Sequence, residues 1–383
     1  MAKSQAQSAL IIGAGVSGLT TALCLHRHGI QSTIIAEKFA PEITSVVAGA
    51  LWEWPPAVCG YHQDQASLNR AKGWCMVSYR KFEELSLEPE TGVYVRPSAF
   101  YFRNKVEEHE PHLRKMNEFR NKVRGFVHDA ALIEQTGVNP GIGLKDAYGY
   151  LAPMVDTDAY MTWLLHKVKA AGSRVIQAKL EGDLRPQEQQ LKREFGADVI
   201  VNCAGLGSRE LASDPMFPLR GALVRLVNDG KDFPKITRAY CVSHDDVTSD
   251  QEIVFIVPRG ENRLILGALV EPDEWSTDIN LDNYEPIRRL YERCVEFLPT
   301  LKKARLDSAE PVRVGLRPLR KQSVRVEQVP GTAIFHNYGH GGAGVTFSWG
   351  CAEEVAELVN GYLSPDEESV STASGGLAAV GSP

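Results

Sequence analysis

The order of elements in residues 9–37 restricts the fold more than any other feature of this chain. A short apolar strand pattern at residues 9–12 is followed by a glycine-rich turn, and a helical pattern continues over residues 19–25. The turn reads Gly13-Ala14-Gly15-Val16-Ser17-Gly18. In units that consist of a strand, a G-x-G-x-x-G turn and a helix, the first glycine forms the tight turn. The second glycine lets the backbone approach a pyrophosphate. The third glycine lets the helix pack close to the strand. The unit predicts a parallel α/β sheet with a phosphate site at its first turn.

A second strand pattern supports this interpretation. Residues 32–36 are apolar or β-branched and end at Glu37 and Lys38. A carboxylate about twenty residues past the glycines, at the end of a strand, suits a pair of ribose hydroxyls. A lone G-x-G-x-x-G would be weak support, but both flanking elements and the acid are present, so they predict a dinucleotide with an ADP moiety. These residues do not distinguish NAD from FAD.

The chain contains a second glycine-rich segment near its C-terminal end. Five glycines occur within twelve positions, after an apolar run and before a helical pattern at roughly residues 346–360: Gly339, Gly341, Gly342, Gly344 and Gly350. Glycine lacks Cβ, so its backbone can contact a flat ligand directly. The helix that follows directs its free N–H groups back toward whatever the glycines bind.

These segments carry a family resemblance. Residues 336–344 resemble the His-Asn-Tyr-Gly-x-Gly-Gly-x-Gly segment by which D-amino-acid oxidases contact flavin. A strand at residues 197–202 runs into Cys203-Ala204-Gly205, which looks like the strand and turn that return many FAD oxidoreductases to the nucleotide domain. The resemblance covers roughly residues 8–362. It implies FAD as cofactor and a discontinuous nucleotide-binding domain.

The resemblance and the sequence pattern together predict an α/β fold with two domains and a tail. The expected parts are a Rossmann-type FAD-binding domain, a mainly antiparallel substrate domain and a disordered end. The FAD-binding domain is expected to comprise residues 8–55, 151–215 and 311–362. The substrate domain is expected to comprise residues 56–150 and 216–310, and the disordered tail residues 363–383. The antiparallel sheet is supported by period-two alternation at residues 221–226, 253–257 and 264–268.

Carried over position by position, the resemblance implies FAD contacts from several separate segments. The segment at residues 45–52 is similar to the one that lies along the flavin ring, although Trp52 could equally be a core residue. The expected FAD-binding residues are Gly13, Ala14, Gly15, Val16, Ser17, Gly18, Glu37, Lys38, Ala48, Gly49, Ala50, Leu51, Trp52, Cys203, Ala204, Gly205, Arg317, His340, Gly341, Gly342, Ala343, Gly344, Val345 and Thr346. Structural roles in the loop are expected for Tyr338 and His340.

The resemblance also implies a substrate site. Arg317 lies in a Gly-x-Arg-Pro segment whose arginine pairs with the substrate carboxylate in relatives, and a guanidinium can form two parallel bonds to such a group. The backbone carbonyl of Gly342 matches the acceptor for the amine. An ion-paired arginine is the alternative interpretation, and it describes Arg313, Arg320 and Arg325 more readily. One departure concerns Gln251 and Phe255, which fall where the family has two pocket tyrosines.

The implied reaction is oxidation of a D-amino acid by hydride transfer from Cα to flavin, which yields an imino acid and then an oxo acid, ammonia and hydrogen peroxide. The altered wall at Gln251 and Phe255 leaves two alternatives open: oxidation of another amine or N-substituted amino acid, or a flavin-binding protein without turnover. The retained Arg317 argues against the last, because an inactive site has no need of a desolvated guanidinium.

Composition excludes several other classes. The chain has 42 basic and 48 acidic residues, hence a formal charge of −6, and it lacks the basic stripe of a nucleic-acid-binding protein. No run of eighteen apolar residues predicts a membrane span. Seven scattered cysteines without C-x-x-C spacing predict reduced thiols rather than disulfides or a metal site. Neither is a metal expected at His109 and His112, which flank Pro111. A cytoplasmic location is expected, since the C-terminus is not the peroxisomal Ser-Lys-Leu signal. Dioxygen and a small amine or amino acid are the expected partners.

Overall fold

A computed structural model describes residues 7–55, 62–242 and 253–364, which form two β-sheets with helices packed around them. Fifteen strands occur in these residues: β1 Ser8–Ile12, β2 Gln31–Ala36, β3 Val93–Phe102, β4 Val127–His128, β5 Asp146–Val155, β6 Arg174–Gln177, β7 Val199–Asn202, β8 Met216–Val227, β9 Ala239–Val242, β10 Phe255–Arg259, β11 Arg263–Gly267, β12 Glu271–Pro272, β13 Val312–Arg320, β14 Arg325–Gln328 and β15 Ile334–Tyr338. The α-helices of the same residues are α1 Val16–Arg27, α2 Thr44–Val47, α3 Gln65–Leu85, α4 Glu110–Phe119, α5 Leu132–Gln135, α6 Thr157–Ala170, α7 Leu184–Phe195, α8 Ser208–Leu211, α9 Glu285–Phe297 and α10 Gly344–Leu363.

The smaller sheet has six strands in the order β14-β15-β7-β1-β2-β6, and all of its pairs are parallel except β14 with β15. Its central strands are buried on both faces because helices cover both. Ile11 belongs to the core that also contains residues of α1 and α10, whereas Leu10 and Ile12 belong to a second core with Leu184 and Leu191 of α7. Neighbouring residues of these strands face opposite sides of the sheet, and both sides are buried. The strand sequences are therefore continuous apolar runs.

The larger sheet has nine strands, with eight in the order β12-β8-β11-β10-β9-β3-β5-β4 and β13 added to β8. All its pairs are antiparallel except β3 with β9. Helix α9 covers one face through Ile287, Leu290 and Cys294, which recur at helical spacing and are buried. The expectation of a mixed α/β fold with one parallel and one mainly antiparallel sheet is confirmed.

Two strands do not follow the domain division expected from the sequence. Strand β13 lies within the expected FAD-binding range 311–362, yet it pairs with β8 along its whole length in the larger sheet. Strand β5 spans the expected boundary at residue 150 and is a single strand of that same sheet. The division into two domains remains a prediction, and strand pairing favours assigning both strands to the second one.

Several local expectations can be compared with the structure. Helix α10 begins two residues before its expected start and continues through Leu363, so the expected tail cannot begin there; residues 365–383 lie outside the described ranges. Pro111 occupies the first turn of α4, where its missing N–H costs nothing. One face of α4 is buried, and on it Lys115 pairs with Glu53 at 3.3 Å.

Candidate functional site

A cleft opens at the carboxyl ends of the parallel strands of the smaller sheet. The turns after β1, β2, β6, β7 and β15 all contribute to its wall, as expected for ligand sites of open α/β sheets. The space inside, including the open mouth, is about 1740 Å³. Strands β8 and β13 of the larger sheet form the opposite wall.

Two helices direct their N-termini at this cleft. Helix α1 begins after Gly15 and α10 after Ala343, and neither N-cap residue makes a side-chain capping bond. The first turn of each helix therefore carries backbone N–H groups that lack helical partners, and neither first turn contains an acid. Such ends favour anionic groups, so this arrangement fits a pyrophosphate.

Close backbone contacts explain two of the N-terminal glycines. Gly13 has a φ of +111°, and a Cβ at this position would lie 2.5 Å from the carbonyl oxygen of Cys203. A Cβ on Gly18 would lie 1.9 Å from the Gly13 oxygen, so only glycine allows α1 to approach β1. Gly13 lines the cleft, whereas Gly18 supports it from behind.

The acidic end of β2 is open to a ligand. Glu37 and Lys38 are exposed on the cleft wall, near Lys179 of the turn after β6. Gln177 donates a 3.2 Å hydrogen bond to the backbone carbonyl of Glu37, which fixes the main chain. Within the described residues no hydrogen bond or ion pair occupies the Glu37 carboxylate, so it can accept hydrogen bonds from ribose hydroxyls.

The segment after α2 is held by a buried arginine. The Arg259 guanidinium donates hydrogen bonds to the carbonyls of Ala48 and Gly49 and a 2.7 Å bond to the Thr157 hydroxyl. Burial lowers the pKa of Arg259 to about 10, so it remains a cation at neutral pH. The N–H of Gly49 has no acceptor in the described parts of the chain, while Ala48 and Gly49 line the cleft. This fits the expected flavin-facing backbone.

The rest of that segment turns away from the cleft. Ala50 adopts a φ of +51°, and its carbonyl accepts a hydrogen bond from Val155. Leu51 forms a bridge with Met154, and Trp52 is buried with its Nε1 donating a 2.9 Å hydrogen bond to the carbonyl of Cys75. Trp52 thus has the surroundings of a core residue, and a contact of these three residues with FAD remains only a prediction.

The glycine-rich segment near residue 340 is joined to α1 by a buried hydrogen-bond network. Asn337 donates to the hydroxyl of Thr21 at 3.0 Å, so its Oδ1 faces His340 Nε2, also at 3.0 Å. His340 Nε2 therefore carries the hydrogen, and Nδ1 accepts from Ser17 at 3.4 Å. Burial lowers the pKa of His340 to about 4, which keeps the ring neutral. Tyr338 donates to Asp214 at 2.8 Å. The hydrogen bonds of Tyr338 and His340 fit structural roles in the loop, which remain a prediction.

Arg317 differs from its neighbouring arginines in having no ionic partner among the described residues. Arg313, Arg320 and Arg325 all form ion pairs, with carboxylates of Asp158, Asp214 and Glu327 among their partners. The Arg317 side chain is half-buried on the cleft wall and donates only to the backbone carbonyls of Arg220 and Leu269, at 3.4 and 3.1 Å. Among the described residues no carboxylate lies within ion-pairing distance of it, so it can bind an anionic ligand.

The wall near Arg317 is apolar. Val47, Leu223 and Leu316 line it, with Gly221 and Gly315 between them. The Phe255 ring lies behind, against Gly49, where a Cβ would come within 2.8 Å of it. Gln251 lies outside the described residues, so its predicted place in the pocket remains a prediction.

Most of the expected site residues meet at this cleft. Those that do not line it are Gly18, Ala50, Leu51, Trp52, Phe255, Ala343 and Thr346, although several of them pack directly behind the wall. Sequence reasoning missed Gly221, Leu223 and residues 178–180. Gly221 carried a usable signal, because a glycine inside a strand marks a close approach of another group.

Comparison with known proteins agrees with this geometry. The profile of the family described as FAD dependent oxidoreductase, DAO, matches residues 8–358. This chain belongs to that family. It is 33% identical over 359 residues to D-amino-acid oxidase of Rubrobacter xylanophilus, covering 93% of this chain and 97% of the relative. It is also 33% identical over 367 residues to D-amino-acid oxidase of Streptomyces coelicolor, covering 92% and 96%. The protein is therefore an FAD-dependent oxidoreductase of the D-amino-acid oxidase type.

Solved structures agree on the fold. Glycine oxidase from Bacillus cereus superimposes with a TM-score of 0.71 at 18% identity, covering 94% of this chain and 96% of the other. L-proline dehydrogenase from P. horikoshii gives a TM-score of 0.72 at 14% identity, with 93% of each chain covered. At these identities the likeness concerns the fold alone. The α1 N-terminus keeps further free N–H groups although Val16 N–H donates to Ser45 Oγ at 3.0 Å. The two helix N-termini and the open Glu37 carboxylate therefore fit the FAD that the family uses.

Three further findings concern the described residues as a whole. No helix in residues 7–55, 62–242 and 253–364 is long and apolar enough to cross a membrane. The same ranges contain no group of three or more histidine, cysteine or acidic residues placed to bind a metal ion. Six cysteines lie in these ranges; all are buried and none forms a disulfide.

Proposed function

We propose that this protein oxidises a D-amino acid at its Cα–N bond. One D-amino acid, one dioxygen and one water would give an oxo acid, ammonia and hydrogen peroxide. The observation that carries the proposal is the Arg317 guanidinium, which lies on the cleft wall without an ionic partner in the described chain, close to the flavin-facing segment. A carboxylate is the anion that a fork-shaped guanidinium binds best.

Arg317 would orient the substrate through its carboxylate. The carbonyls of Arg220 and Leu269 both accept from Nη1, so three of the five guanidinium N–H donors have no partner among the described residues and can bind a ligand. Two parallel hydrogen bonds to the substrate carboxylate would fix the orientation of the substrate as well as the distance of its Cα from the guanidinium. Such orientation supplies much of the acceleration of a reaction that needs no covalent catalysis.

The walls would keep water away from the reacting carbon. Val47, Leu223 and Leu316 are apolar, and neither imidazole nitrogen of His340 is free to act as a base. Removal of the hydrogen as hydride needs no such base. FAD supplies the chemistry when bound, since it accepts the hydride and passes two electrons to dioxygen.

A second candidate is an oxidase of another amine or of an N-substituted amino acid. Phe255 favours it, because the family resemblance implies a tyrosine at this position, and phenylalanine, whose ring packs behind the wall at Gly49, has no hydroxyl. Loss of one bond to an ionised group costs about 1.5–3 kcal/mol. The structural neighbours include an enzyme named iminodiacetate oxidase, so this fold accommodates such chemistry.

A substrate panel with peroxide as the readout separates these candidates. Purified protein would be assayed with D-, L- and N-alkyl amino acids, and anaerobic substrate should bleach the flavin until air restores its colour. We expect D-amino acids to be the best substrates. A clear preference for N-alkyl or L-amino acids would refute the proposal, and reoxidation that requires an added acceptor would make the enzyme a dehydrogenase.

The variant Arg317→Leu tests the role of the guanidinium. We expect kcat/KM to fall by about three orders of magnitude with flavin absorbance unchanged, because the carboxylate loses a charge-assisted pair. Arg317→Lys should not restore activity, since an ammonium lacks the fork geometry. Lys321→Ala is the control, because Lys321 is an exposed cation four positions away, whereas Arg320 is buried against Asp214 and unsuitable. Undiminished turnover by Arg317→Leu would point to an amine without a carboxylate.

The cytoplasm is the proposed location and dioxygen the proposed second substrate. Cell fractionation followed by peroxide assay tests the first of these, and recovery of the activity in a membrane fraction would contradict it.

A further inference from the structure

Two glycines face each other across the strands that carry Arg317. Strands β8 and β13 are antiparallel, with Gly221 opposite Gly315 and Leu219 opposite Arg317. Residues two apart on a strand share one face of the sheet, so Gly221, Gly315 and Arg317 all lie on the face toward the cleft. Glycine is disfavoured inside strands, because it loses more backbone entropy and contributes no packing. A pair of glycines in register is therefore a costly feature that calls for a physical reason.

The Arg317 guanidinium occupies the space above Gly221. A Cβ on Gly221 would lie 2.4 Å from both Cζ and one terminal nitrogen of Arg317 and 2.5 Å from the other nitrogen. The guanidinium therefore covers the α-carbon of Gly221, reaching diagonally across the strand pair from its own position. The carbonyls of Arg220 and Leu269 hold it from the side. Any side chain at residue 221 would displace the charged group.

Gly315 accommodates a different group. A Cβ there would lie 2.9 Å from Cβ of Val47 and 3.1 Å from one of its methyl carbons. Val47 is the last residue of α2, and Ala48 and Gly49 follow it on the cleft wall. Because Cβ of valine is attached to the main chain, added volume at residue 315 would push α2 and the segment after it.

We propose that the Gly221–Gly315 pair positions the two halves of the active site relative to each other. Gly221 sets the place of the carboxylate-binding guanidinium, and Gly315 sets the place of the cofactor-facing segment. The two are positioning residues, since neither contributes a side chain to the chemistry. The inference rests on the proposed function, in which Arg317 binds the substrate carboxylate.

Alanine substitutions test the two roles separately. Neither glycine has a positive φ, so alanine suits both backbones and should not by itself destabilise the fold. Ordinary contacts of a Cβ begin near 3.4 Å, so Gly221→Ala must move the guanidinium by about 1 Å. A misplacement of this size can cost about 100-fold in rate. Gly73→Ala is the control, because Gly73 is exposed in α3 with no atom within 4 Å of an added Cβ.

The measurements are kcat/KM for D-alanine and for D-alaninamide, together with the FAD dissociation constant. In Gly221→Ala we expect the D-alanine to D-alaninamide ratio to fall about 100-fold while FAD affinity stays within threefold of the parent. In Gly315→Ala we expect the ratio to stay within threefold while FAD binds about 10-fold more weakly. Gly73→Ala should change neither quantity.

A double-mutant cycle separates a positioning role from general damage. In the Arg317→Leu background, Gly221→Ala should lower kcat/KM for D-alanine no further, because the group it displaces is gone. The inference would be overturned if Gly221→Ala lowered kcat/KM for D-alanine equally in the parent and in the Arg317→Leu background. It would also be overturned if Arg317→Leu abolished the preference for D-alanine over D-alaninamide while Gly221→Ala left that preference unchanged. If the parent oxidises another D-amino acid of the panel better than D-alanine, that compound and its amide replace the alanine pair. A parent enzyme that turns over no D-amino acid of the panel, or that does not prefer the acid to its amide, would refute the proposed function itself.

Discussion

Replacement of Arg259 by methionine should loosen the cofactor-facing segment, and the structure allows the size of the effect to be estimated. The guanidinium makes one hydrogen bond to Thr157 and one each to the carbonyls of Ala48 and Gly49. Bonds from a charged donor contribute about 1.5–3 kcal/mol each, so three of them contribute roughly 6 kcal/mol. Burial of the charge opposes this stabilisation. It lowers the pKa of Arg259 from 12.5 to about 10, and a shift of this size corresponds to roughly 3 kcal/mol.

The expected net loss is therefore about 3 kcal/mol of unfolding free energy. Unfolding entropy is about 2 cal/mol/K per residue, so over a chain of 383 residues this loss lowers Tm by roughly 4 °C. We further expect FAD to bind about 10-fold or more weakly, because the Gly49 N–H is no longer held at the cleft wall; a tenfold change corresponds to about 1.4 kcal/mol. Thermal denaturation with and without added FAD measures both effects.

An exposed arginine provides the matched control. Arg305 bonds to Asp229 and Asp232 at the surface, with half of its side chain exposed, so Arg305→Met should change neither Tm nor FAD affinity measurably. Arg259→Lys should resemble Arg259→Met, because one ammonium cannot reach Thr157 and both carbonyls together. If Arg259→Met melts within 1 °C of the parent and binds FAD equally well, the proposed role of this buried cation is wrong.

Two further predictions concern the cofactor and pH. Glu37→Ala should weaken FAD binding roughly 10- to 100-fold, since the carboxylate would lose its bonds to the ribose; Glu181→Ala is the control, and equal FAD affinity in both variants would contradict the assignment. His340 is neutral in the fold with its pKa lowered to about 4, whereas the unfolded chain takes up a proton near pH 6.5. Its contribution to stability is therefore present above pH 6.5 and lost as pH falls toward 4, by about 2 kcal/mol at pH 5. Urea denaturation at pH 7 and pH 5 should show that His340→Gln loses less stability over this interval than the parent does, and equal losses would refute it.

The sequence by itself determined the features that depend on neighbouring residues. Local backbone requirements explain three features: the turn at residues 13–18, the helix after Gly344 and the acid at the end of β2. Only glycine tolerates the φ of Gly13, and only the end of a strand can present the Glu37 carboxylate to a ligand. The helical period of α9 likewise reflects which of its faces is buried, whereas β10 and β11 are buried on both faces, so the alternation expected from the sequence does not describe them. The family resemblance added FAD, which these patterns alone leave undistinguished from NAD.

Only the tertiary structure decided what depends on strand register and on distant partners. The sequence does not show that Arg317 lacks the ion pair its neighbours have, because Asp158 and Asp214 lie more than one hundred residues away along the chain. Nor does it show that Gly221 faces Gly315, since a shift of one residue between β8 and β13 would put the two glycines on opposite faces of the sheet. Arg259 likewise acquires its role from the fold, which brings it to carbonyls 210 residues away. Local chemistry specifies the elements, but long-range packing determines which charges remain available for a ligand.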